Sequence, residues 1–164
     1  MGRLGRLVWG EKVSDAEREA IVGIGEKPVV ERRATATGVL HLSENSVAAI
    51  KASEVSKGDV IEASTVAAVQ AVKMTPNIVP HCHPIPIEGC TVDWEWEDNS
   101  LRCTVKVSAR YRTGVEMEAL TGVSIGLLCA WDMVKPLEKD ESGQYPIAQI
   151  SDIRVTEKYK GSME

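Results

Sequence analysis

The chain has 164 residues, 43% of them hydrophobic and 26% charged, with a formal net charge of -5. That length fits a single domain with a real core, and the balance is that of an ordinary soluble globular protein. Acidity argues against non-specific binding to nucleic acid or anionic membranes. The absence of Phe and the few other aromatics argue against a platform for stacking bases as well.

Met1 to Lys27 shows no clean period. Asp15 to Ala20 could form a helical turn or two, and Gly23 and Gly25 make the next segment an approach rather than a strand. We read residues 1–27 as an N-terminal extension, partly disordered, and 28–164 as one domain. There is no apolar run of a signal peptide and no stretch of the roughly 20 apolar residues that a membrane span needs. Cys82, Cys90, Cys103 and Cys129 form no CxxC pair, and a chain of this size needs no disulfide staple. Reduced thiols in the cytoplasm are expected.

Val29 to Leu42 alternates, with Ala34, Ala36, Gly38, Leu40 and Leu42 on one side: a half-buried strand. Ser43 is placed to cap a short helix, Glu44 to Ala52. A loop through Gly58 follows, and Asp59 caps a second helix, Val60 to Met74, which Pro76 should close. Asn77 to Ile87 holds three prolines and should be extended. Cys90 to Glu97 and Leu101 to Arg112 read as a hairpin around Asp98-Asn99-Ser100.

The stretch from Thr113 to Lys135 has no breaker before Pro136, so it predicts one helix of roughly 20 residues, about 30 Å long. Its charges lie at the ends: Glu116 and Glu118 in the first turn, Asp132 and Lys135 in the last. Ala119 to Ala130 carries no ionisable group but Cys129, so the helix is buried on more than one side. Gly122, Ser124, Gly126 and Ala130 leave room for another element, or a second subunit, to approach closely. Ile147 to Val155 is the last strand, followed by a basic tail at Lys158 and Lys160. Strand, two helices, hairpin, helix, strand is the α+β, ferredoxin-like pattern: a four-stranded antiparallel sheet with helices packed on one face.

Charges at the ends of an immersed rod are expensive to leave unpaired, so chemistry is sought there. Asp132 and Lys135 share a helix face at i and i+3. An ordinary surface ion pair has the same spacing, but here it follows a long apolar run. A carboxylate beside a lysine can serve as acid or base, and the lysine can neutralise phosphate. Lys57-Gly58-Asp59 precedes a helix N-terminus, which favours anions, although such a triplet is more often only a turn and a cap. His81-Cys82-His83-Pro84 is a stiff loop with two histidines. It fits a pocket wall, a plain structural loop, or a metal site with Cys90, although no fourth ligand is evident. Arg110, Arg112, Lys158 and Lys160 are individually unremarkable exposed cations.

Lys57-Gly58-Asp59-Val60, His81-Cys82-His83-Pro84, Thr113-Gly114-Val115-Glu116-Met117-Glu118-Ala119-Leu120-Thr121 and Trp131-Asp132-Met133-Val134-Lys135, in this order and spacing, resemble the cyclic pyranopterin monophosphate synthases, the MoaC family of molybdenum-cofactor biosynthesis. The similarity runs from about Val22 to Lys160. It implies a ferredoxin-like subunit in a homohexamer, a trimer of dimers, with active sites at the dimer interface. It also implies a lyase that converts a cyclic 7,8-dihydro-GTP intermediate to cyclic pyranopterin monophosphate and releases pyrophosphate.

By motif position the resemblance assigns catalysis to Asp132, Lys135 and Lys57. It assigns substrate binding to His81, Cys82, His83, Met117 and Glu118, with Glu116 beside them, and to Lys158 near the C-terminus. It implies no resident metal and no redox cofactor; a divalent ion is an optional aid at the pyrophosphate. The sequence departs from the family at Gly23, where an aspartate is usual, and in a tail without the usual Lys-Ser-Gly-Gly-Lys run. The competing class is a non-catalytic oligomeric domain of the same fold that binds a nucleotide or a metal.

Overall fold

A computed structural model of the protein describes residues 20–162; the helical turn expected at 15–20 lies almost wholly outside them. In chain order the elements are β1 (Val30–His41), α1 (Glu44–Lys51), α2 (Val60–Ile78), β2 (Gly89–Glu97), β3 (Ser100–Tyr111), α3 (Glu116–Glu138) and β4 (Gln149–Lys160). The sheet order is β2-β3-β1-β4 with every pairing antiparallel. This is the ferredoxin-like α+β arrangement expected from the element order.

The core forms where α3 lies on the sheet. Ala119, Val123, Leu127, Ala130 and Val134 recur at helical spacing and are buried against Ala34, Ala36, Leu40, Val105 and Val107. Gly38 makes the close approach possible: a Cβ there would lie 2.8 Å from both Leu127 and Val123. Among the described residues, α3 alone is long and apolar enough to cross a membrane, but here it is the core helix between sheet and α2. The surface of small residues on α3 is occupied from within the chain. A Cβ on Gly122 would meet Val72 at 2.8 Å, and one on Gly126 would meet Ala68 at 3.2 Å. Both contacts come from α2, not from a second subunit.

Three expected boundaries move. Proline was expected to end two helices, and in both it lies inside: α2 runs two residues past Pro76, and α3 two residues past Pro136. A proline at i removes the N–H that would serve the carbonyl at i−4, so the helix continues only if that oxygen finds another donor. In α2 the donor is local, Thr75 Oγ1 to the Val72 carbonyl at 3.0 Å. In α3 it comes from far along the chain, as described below. Asn77 and Ile78 are accordingly helical, and the extended segment begins only after them.

The third change is β4, which continues to Lys160 and takes in the expected basic tail. It is an edge strand, exposed over most of its length, and its pairing with β1 shifts register between Thr35 and Ala36 and again between Thr37 and Val39. Edge exposure and bulges erase the alternation by which a strand is recognised.

Candidate active site

Two groups of polar residues form at the two ends of α3. At the C-terminal end, Asp132 Oδ1 accepts from Lys135 Nζ at 2.6 Å and Oδ2 accepts from Lys57 Nζ at 2.6 Å. Lys57 Nζ also donates to the main-chain carbonyl of Asp132 at 2.9 Å. The loop between α1 and α2 delivers Lys57. Gly58 has φ +103, a conformation suited to glycine, and the turn lets Asp59 accept from Glu62 N at 2.9 Å to cap α2.

A buried carboxylate ties the same region together: Glu138 Oε1 accepts from Ser43 N and Ser43 Oγ, both at 2.9 Å. This joins the last turn of α3 to the cap of α1. The three charged groups are otherwise open to solvent. Hydrogen bonds from Lys135 first, and then from Lys57, hold the Asp132 carboxyl down at about 2, while its carboxylate raises Lys135. Leu128, Trp131 and Tyr145 line the adjoining cavity of about 280 Å³, with the two rings edge to face at 5.7 Å.

At the N-terminal end, two cavities adjoin and share Lys27, Thr113, Gly114 and Met117. One, of about 310 Å³, is lined by His81, Cys82, His83, Ile85 and Glu118, with Val22 and Ile24 from the N-terminal approach. The histidine loop turns rather than running extended: Cys82 N donates to the Val79 carbonyl at 2.9 Å. All three of its motif residues therefore face one cavity. His81 Nδ1 is hydrogen-bonded to the Ala20 carbonyl. Glu118 is buried, and burial pushes its carboxyl pKa up, with Glu116 adding to the rise. Cys82 is raised as well, by burial and then by Glu118.

The second cavity, of about 380 Å³, is lined by Lys27, Arg32, Arg112, Lys158, Lys160 and Glu116. Lys158 pairs with Glu116, and the absence of a side chain at Gly114 lets the Glu116 carboxylate lie where a Cβ would stand. The sheet register accounts for the cluster. Lys160 lies opposite Arg32, and Lys158 opposite Ala34, so β4 adds its cations to that of β1 beside the start of α3. Five cations against one carboxylate make a strongly cationic concavity.

The residues expected at one site thus lie in two groups. Lys57, Asp132 and Lys135 form the first; His81, Cys82, His83, Glu116, Met117, Glu118 and Lys158 line the second. The fourteen residues from Glu118 to Asp132 amount to about 21 Å of helix.

Sequence reading passes over Lys27 and Arg32 and treats Arg112 and Lys160 as surface cations. Arg32 does carry a signal, because it continues the inward series of Ala34, Ala36 and Gly38. A guanidinium on the buried face of a strand needs partners, and its Nε and Nη2 reach the carbonyls of Tyr111 and Arg112 at 3.3 Å. Cys90 opens onto a different cavity from the two histidines. Among the described residues no three His, Cys, Asp or Glu side chains converge as metal ligands do.

A ferredoxin-like domain with a cationic concavity at one end of its core helix and a lysine-clamped aspartate at the other has the parts of an enzyme acting on a phosphorylated small molecule. The chain belongs to the MoaC family, which it matches over residues 21–161. It is 50% identical to a protein of Thermococcus kodakarensis described as "Probable cyclic pyranopterin monophosphate synthase", over 90% of this chain and 94% of that one. An Archaeoglobus fulgidus protein of the same description is 49% identical over 88% of this chain and 92% of its own. One from Methanothermobacter thermautotrophicus, described as "Probable cyclic pyranopterin monophosphate synthase accessory protein", is 46% identical over 90% and 92%.

Proposed function

We infer that the protein is a cyclic pyranopterin monophosphate synthase, a lyase of molybdenum-cofactor biosynthesis. Its substrate would be (8S)-3',8-cyclo-7,8-dihydroguanosine 5'-triphosphate, its products cyclic pyranopterin monophosphate and pyrophosphate. The observation that carries this reading is the pair of sites at the ends of α3, one built for polyanion and one for proton transfer, in a chain half identical to proteins of that description.

The roles follow from charge and reach. Lys158, with Arg32, Arg112 and Lys160 around it, neutralises the triphosphate and the departing pyrophosphate. His81, Cys82, His83, Glu116, Met117 and Glu118 hold the ring end. Asp132, Lys57 and Lys135 form the catalytic trio. A carboxyl held at about 2 keeps its proton at pH 7 only about once in 10⁵. In this arrangement Asp132 is ionised and anchors two ammonium groups. No redox cofactor is needed.

Two groups about 21 Å apart along one helix do not both reach one reacting centre. The reading therefore includes a site completed across an interface between two copies, within a homohexamer built as a trimer of dimers, in the cytoplasm.

Purified protein incubated with the cyclic dihydro-GTP intermediate should release pyrophosphate. Asp132→Asn should cut kcat by about 10²- to 10⁴-fold with an unchanged circular dichroism spectrum. A folded, oligomeric wild type without turnover would sink the lyase reading and favour a non-catalytic or accessory ligand-binding role.

A further inference from the structure

We propose that Pro136 is a positioning residue for Lys57. By withholding an N–H from the main-chain carbonyl of Asp132, it leaves that oxygen to the Lys57 ammonium. This rests on the assignment of Lys57 to the catalytic trio. The geometry is specific: Asp132 is the residue four before Pro136, and its carbonyl accepts from Lys57 Nζ at 2.9 Å.

In an unbroken helix that carbonyl would point along the axis to the N–H of residue 136. Proline has none, so that oxygen is left without its helical donor. The freed oxygen then lies beside Oδ2 of its own side chain, which accepts from the same ammonium at 2.6 Å. Lys57 is thereby held by two atoms of one residue, which restricts a flexible four-carbon side chain.

The chain contains its own comparison. At Pro76 the orphaned carbonyl is taken by the hydroxyl of the preceding residue, Thr75. At Pro136 the preceding residue is Lys135, which has no hydroxyl and donates to Asp132 Oδ1. The local remedy is absent, and the oxygen is satisfied by a side chain 75 residues away in sequence.

Pro136→Ala restores the N–H. A carbonyl has two lone pairs, so the new donor does not expel Lys57; it draws the oxygen toward the axis and weakens its hold. The expected result is a fall in kcat of about two- to tenfold, the range for one hydrogen bond, with KM nearly unchanged and a melting temperature equal or higher. A purely structural proline would give the same or better stability with kcat intact.

An alanine-like residue joined through an ester (lactic acid at position 136) again lacks the N–H and should restore the wild-type kcat. Independently of turnover, the Lys57 ammonium should give a slowly exchanging signal in protein labelled with ¹⁵N-lysine, weakened in Pro136→Ala and retained in the ester variant. Unchanged kcat in Pro136→Ala, an ester variant as slow as alanine, or a Lys57 signal indifferent to residue 136 would each overturn the proposal. If the wild type lacks turnover, the functional reading fails, and the ammonium signal still tests this one.

Discussion

Glu118 and Asp132 are carboxylates on the same helix, yet their surroundings drive them apart. Asp132 is exposed between two lysines and is held down at about 2; Glu118 is buried in a cavity wall and is raised. Their charges and helical positions were legible in the sequence, because an ionisable group at either end of a long apolar run stands out. The direction of each shift was not, because it depends on which loop closes over which end.

For Glu118 the consequence is pH-dependent stability. A carboxyl raised above its unfolded value, about 4.3, favours the fold while protonated; that contribution is lost as pH rises through the folded pKa. Glu118→Gln should therefore raise the melting temperature at pH 7 and change it little at pH 4. A shift of equal size at both values would contradict the assignment.

Among the elements, the two prolines teach most. Sequence reading ends a helix at an interior proline on good grounds, since the lost hydrogen bond and the ring clash cost about 3 kcal/mol. It fails in both helices here because each orphaned carbonyl finds a donor, and donors of that kind are a tertiary fact. Thr75 gives a direct test. It is fully buried, and its hydroxyl serves the Val72 and Ala71 carbonyls. Thr75→Val keeps the volume but strands the Val72 oxygen, so urea unfolding should show a loss of about 1–3 kcal/mol. A neutral result would mean that the proline needs no such compensation. The capped helices and the hairpin were legible because Ser43, Asp59 and Asp98-Asn99 act locally. The far half of β4 was not, as an exposed edge strand with register shifts has little pattern to read.

For the whole molecule, the fold class followed from element order alone. The use of the small residues on α3 did not. They admit α2 of the same chain, so they leave open where a second copy would sit. What points to a second copy is the separation of the two groups of site residues, about 21 Å along α3.

Co-expression of two variants disabled at opposite ends of α3 tests that claim most directly: Asp132→Asn at one end, and Lys158→Glu, which reverses a cation of the polyanion cavity, at the other. If each site draws its two ends from different protomers of an isologous dimer, half the dimers are mixed and one of their two sites is wild type. Pyrophosphate release should then recover to about a quarter of the wild-type rate, while each variant alone stays inactive. Mixed oligomers with no recovery would contradict a shared site and return both halves of the chemistry to a single chain.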